Sequence, residues 1–179
     1  MATNISRTGL AATILALAIA IPAGAHAGEL QVSFRESAPK DRFTIRNSGT
    51  CTVASGRISI DLAGSAGKLI FDTTATGSGV EVFQPFEIVT GRDKLARLPT
   101  VRDGDQRIDL DVRDFAAGDE IAFTIDVDDT LRNSELGQIR VSGSEISGGR
   151  VIFTSGGASS DGQFSAAATA RVAASACVS

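Results

Sequence analysis

Ile121-Ala-Phe-Thr-Ile-Asp-Val-Asp-Asp-Thr130 is the stretch from which the fold is read. Ile121, Phe123, Ile125 and Val127 are apolar, while Ala122, Thr124, Asp126 and Asp128 are small, polar or charged. Successive side chains of a strand point to opposite faces, so this alternation predicts a half-buried β-strand. One face belongs to a core. The other carries Asp126 and Asp128, with Asp129 where the strand runs out.

The same period of two recurs on either side. Leu30, Val32 and Phe34 alternate with Gln31, Ser33 and Arg35; Phe43 and Ile45 alternate with charged and polar neighbours. Ile58, Ile60 and Leu62 follow, then Ile108, Leu110 and Val112 against Asp109 and Asp111. Further short strands are expected at 68–72, at 80–89 with Pro85 interrupting, around 139–141, and at 150–154. Residues 92–104 read as an irregular connection and 155–162 as a flexible tip. Residues 164–172 suit either a helix or a strand on their Ala content. The strand is preferred, because no amphipathic helix shows elsewhere. About nine or ten short strands with Gly-rich turns between them predict an all-β, antiparallel β-sandwich, with a closed barrel as the runner-up. No interior linker marks a second domain.

Residues 1–27 carry a different signal. Arg7 precedes an uninterrupted run of apolar and small residues at 10–21, Pro22 ends it, and Ala25-His26-Ala27 offers a cleavage site. A run this short with small residues after it predicts a secretory signal peptide cleaved after Ala27, not a membrane span. The expected mature chain, 28–179, is one domain of ordinary size. Without Arg7 it holds 16 basic against 21 acidic residues, a net charge of −5, which disfavours nucleic acid as a partner. Cys51 and Cys177, the two cysteines, both fall in the exported part and are expected to pair as a disulfide. The expected location is periplasmic or secreted.

The mature chain has no His, Tyr, Trp or Met. That removes Ser-His-Asp and Cys-His catalysis, His-ligated zinc and an imidazole general base. Carboxylates remain in two runs: Asp103, Asp105, Asp109, Asp111 and Asp114, and Asp126, Asp128 and Asp129. Hard oxygen ligands at a strand end suit Ca²⁺, although neither run has EF-hand spacing. Asp126, Asp128 and Asp129 are therefore the candidate metal ligands, and Glu145 joins them if its loop folds back. The competing reading makes Asp109, Asp111, Asp126 and Asp128 a solvated sheet face paired with arginines. Phe83-Gln-Pro85-Phe86 lies at an expected sheet edge, either as core or as a contact surface for another chain.

Ala38-Pro39-Lys40-Asp41-Arg42-Phe43, Ile70-Phe71-Asp72, Gly79-Val80-Glu81-Val82-Phe83-Gln84-Pro85-Phe86, Phe123–Thr130 and Gly143-Ser144-Glu145-Ile146 together resemble small exported bacterial proteins labelled "aggregation factor core". The resemblance implies a surface or adhesion role without catalytic residues, a protein or cell-surface glycan as partner, and calcium at 126–129. A periplasmic hydrolase that uses carboxylates on a glycan is the alternative.

Overall fold

The computed structural model describes residues 28–80, 82–174 and 177–178; the expected signal peptide, 1–27, lies outside them. The first strands are β1 (Gly28–Arg35), β2 (Arg42–Asn47), β3 (Thr52–Val53), β4 (Gly56–Asp61) and β5 (Ile70–Asp72). They are followed by β6 (Glu87–Thr90), β7 (Arg107–Val112), β8 (Glu120–Thr124) and β9 (Asp126–Asp128). After a four-residue helix, α1 (Gly143–Ile146), come β10 (Arg150–Ser155), β11 (Ala158–Gln163), β12 (Thr169–Ala174) and β13 (Cys177–Val178).

These strands build an antiparallel sandwich. One sheet runs β12-β1-β2-β8-β6 and the other β11-β10-β4-β7, two separate ladders that do not close into a barrel. Alternation decides the inner faces: Leu30, Val32, Phe43 and Ile45 of the first sheet share a core with Ile58, Ile60, Leu110 and Phe153 of the second. Phe43 lies in the middle, with the rings of Phe34, Phe71, Phe123 and Phe164 centred 5.0–6.4 Å from its own. Each such ring contributes about 1.5–3 kcal/mol by leaving water.

Two short ribbons complete the fold. β3 pairs with β13 beside the Cys51–Cys177 disulfide, which joins residues 126 positions apart with Cα atoms 5.7 Å from one another. Closing so long a loop contributes about 4–5 kcal/mol on the chain-entropy account. β5 pairs with β9 and carries the site described below. Among the described residues no helix is long and apolar enough to cross a membrane.

Several local expectations give way. The stretch 121–130 is two strands in two different sheets, because β2 has no residue left to pair beyond Arg42↔Thr124. Asp41 takes over there, its carbonyl accepting from Ile125 N–H and its Oδ2 from Val127 N–H. The strand expected around 139–141 is instead a turn leading into α1. Ser142 Oγ caps the Glu145 amide and Glu145 Oε2 accepts from Ser142 N–H, a reciprocal cap that favours a helical turn. The expected tip at 155–162 contains β11, and 164–172 yields the strand β12 from Thr169 on. Phe83 and Phe86 divide between the two readings: Phe86 packs against Phe123 with ring centres 4.9 Å apart and planes tilted by 35°, and Phe83 is 38% exposed.

Candidate metal centre

The β5–β9 register sets Asp72 directly opposite Asp126, with Ile70 opposite Asp128 and Phe71 opposite Val127. Like charges placed opposite one another destabilise a strand pair. Asp128, two residues beyond Asp126, faces the same way. One oxygen from each of Asp72, Asp126 and Asp128 lies within 4.8 Å of the other two. The three residues are 0%, 0% and 1% exposed, so this is no solvated sheet face.

The chain after β5 closes over them. Asp126 N–H donates to the Gln84 carbonyl at 3.0 Å, and Val80 N–H donates to Asp128 Oδ2 at 2.8 Å. Immediately before Val80, Gly79 crosses the carboxylates: a Cβ there would stand 2.3 Å from Asp72 Oδ2 and 2.4 Å from Asp128 Oδ2. Only glycine fits. Asp103 holds the start of this covering loop by accepting from the amides of Thr73, Thr74 and Ser78.

Among the described residues five buried carboxylate oxygens have no hydrogen-bond donor: Asp72 Oδ2, both of Asp126, Asp128 Oδ1 and Asp129 Oδ2. Among the described residues no Lys or Arg forms an ion pair with any of these four residues. Burial, with Asp128, Asp41 and Asp72 nearby, pushes Asp126 up to about 8. Burial, a bond shared with Asp103 and the charge of Asp128 push Asp72 up to about 7. Burial also raises Asp128. It takes Asp41 to about 7 against the pull of its amide donors. Asp103 goes the other way: amide donors and the Asp72 carboxyl overcome its burial and hold it down to about 2.

An unpaired buried carboxylate is too costly to persist, so the cluster must share protons or hold a cation. Clustered carboxylate oxygens with no nitrogen or sulfur ligand suit a hard cation such as Ca²⁺, Mg²⁺ or Mn²⁺.

Of the residues expected from sequence, Asp126 and Asp128 take part. Asp129 falls outside the converging three; its Oδ1 accepts from Leu131 N–H while its Oδ2 is buried without a donor. Glu145 is committed to the α1 cap and to Glu135 N–H. Asp109 and Asp111 lie on the four-stranded sheet, bound to arginines as the competing reading holds. Asp105 and Asp114 accept from the amides of Arg102 and Ser55. Sequence reasoning missed Asp72 and Asp41, and it set Asp103 in the other acidic run, where its hold on the covering loop does not show. Asp72 ends a run as short as Ile70-Phe71-Asp72, and only the register with β9 gives it meaning. No family model, no curated protein and no solved structure matches the chain.

Proposed function

We propose that the chain is an exported, non-catalytic β-sandwich that holds Ca²⁺ through Asp72, Asp126 and Asp128 and serves in cell-surface adhesion or aggregation. The observation that carries the cation is the set of buried carboxylate oxygens without a donor or a basic partner. The disulfide supports an oxidising compartment. The adhesive role rests on the resemblance to the aggregation factor core proteins. The alternative, hydrolysis of a glycan, needs carboxylates that a polymer can reach. Those of the cluster are buried beneath the main chain of Gly79.

Thermal melts in millimolar Ca²⁺ and in chelator test the cation. Extracellular calcium modules bind with Kd of about 10⁻⁴–10⁻³ M, and tenfold excess over Kd adds about 1.4 kcal/mol. For a domain of this size that raises Tm by about 3–6 °C. Asp128→Asn should abolish the difference, and superimposable wild-type melts would sink the cation reading. The adhesive role is tested by cell clumping with wild-type protein and Asp126→Ala, against release of sugar from envelope glycans. Lost hydrolysis without lost clumping would favour the enzyme. Export predicts a mature N-terminus at Gly28.

A further inference from the structure

The outer face of the four-stranded sheet carries two adjoining depressions, of about 300 and 450 Å³, and Arg57 lines both. Volumes of this order are those of small-ligand sites. The register explains why charge collects there, since Arg57 pairs with Asp111, Ser59 with Asp109 and Asp61 with Arg107. Asp111 clamps two guanidiniums: its Oδ1 accepts from Arg57 Nε at 2.8 Å, and its Oδ2 lies 2.7 Å from Arg97 Nη2. Asp109 Oδ1 accepts from Arg107 Nε at 2.9 Å and from Ser59 Oγ at 2.6 Å.

Exposed pairs of this kind contribute little to stability, so holding the fold is a poor account of the arrangement. What the clamps do is fix guanidiniums and leave donors over. Both Nη groups of Arg57 and Asp109 Oδ2 make no hydrogen bond among the described residues. Leu98, 48% exposed, and Pro99 form an apolar wall of the smaller depression, and Thr100 adds a hydroxyl.

The geometry points to a binding face for a carboxylated saccharide on Arg57, Arg97 and Asp109. A guanidinium fork matches a sugar carboxylate. The free carboxylate oxygen accepts ring hydroxyls, and the apolar wall takes the C–H face of the ring. A phosphate or sulfate dianion fits less well, because it sets twice the charge of one sugar carboxylate against Asp109 and Asp111 and has no ring to lay on Leu98 and Pro99. The assignment names the partner for the cell-surface reading and rests on that reading, but it does not depend on the cation.

Calorimetric titration of the mature chain with tetragalacturonate tests it, with maltotetraose and inorganic sulfate as comparison probes at matched ionic strength. Binding of the uronate is expected, at least tenfold weaker in Arg57→Ala and in Arg97→Ala, and unchanged in Arg150→Ala. Arg97 has a side chain 73% exposed, so its loss leaves the fold intact and keeps the test decisive. Chelator should leave the titration unaltered, which separates this result from the fate of the calcium site. No heat from the uronate, equal binding of maltotetraose, full competition by sulfate, or wild-type affinity in both arginine variants would each overturn the assignment. Should the uronate fail while cells still clump, this face is wrong and the adhesive reading survives.

Discussion

Asp109-Leu110-Asp111 and Asp126-Val127-Asp128 are the same pattern, two aspartates flanking an aliphatic residue on a strand, in two unlike settings. Across from the first pair stand Ser59 and Arg57. Across from the second stand Asp72 and Ile70. At Asp111 the bond from Arg57 outweighs burial, and at Asp109 the bonds from Ser59 and Arg107 do so; both carboxyls sit below the usual range. At Asp126 and Asp128 burial meets no cation and both carboxyls rise. The partner strand, not the pattern, decides whether such a pair is a solvated face or a site.

The contrast shows most strongly in pH. In chelator, Asp41, Asp72 and Asp126 hold protons in the folded chain up to about 7, 7 and 8. An unfolded Asp loses its proton near pH 3.9. The folded state therefore binds more protons between about pH 4 and 8, and stability must fall as pH rises through that window. Each proton so held contributes a slope of about 1.4 kcal/mol per pH unit. Asp109 and Asp111, with lowered values, stabilise above the unfolded value and lose that contribution in more acidic solution. Saturating Ca²⁺ should flatten the first slope and leave the acid limb in place. Melts at pH 5, 6, 7 and 8 check this; a Tm in chelator that rises across the series would break the comparison.

Covering is the second difference between the pairs. A methyl group at Gly79 would sit among the oxygens of Asp72 and Asp128, whereas the Asp109 side chain stays 41% exposed. Gly79→Ala is expected to cost about 1–3 kcal/mol, as overpacking does, and to remove the calcium increment with it. A variant that melts with the wild type and still responds to Ca²⁺ would show that the covering loop moves aside freely.

How much of this was legible follows from where each signal lies. Period-two alternation at Leu30–Phe34, Phe43–Ile45, Ile58–Leu62 and Ile108–Val112 is local, and it delivered the sandwich. The pairing of Cys51 with Cys177 needed only composition and compartment. The step from β8 to β9 was hidden, because it depends on Asp41 ending the pairing with β2 some 80 positions upstream in sequence, a tertiary event. Asp72 was hidden for the same reason. The cap at Ser142-x-x-Glu145 is local and readable in sequence, and its two reciprocal hydrogen bonds outweigh the strand preference of Val141.

The smallest effect belongs to the exposed pair. Arg57 and Asp111 have side chains 47% and 24% exposed, and their 2.8 Å contact lies in high dielectric. A double-mutant cycle with Arg57→Ala and Asp111→Asn should give a coupling of about 0.2–1 kcal/mol. The coupling should shrink in 1 M salt, where the screening length falls to about 3 Å. Arg97, the other guanidinium on Asp111, sets how much remains after Arg57 is lost, so the cycle is run in Arg97→Ala as well. A coupling above about 2 kcal/mol in either background, unchanged by salt, would mean that Asp111 is desolvated much as Asp126 is. The two aspartate pairs would then differ in partner alone and not in exposure.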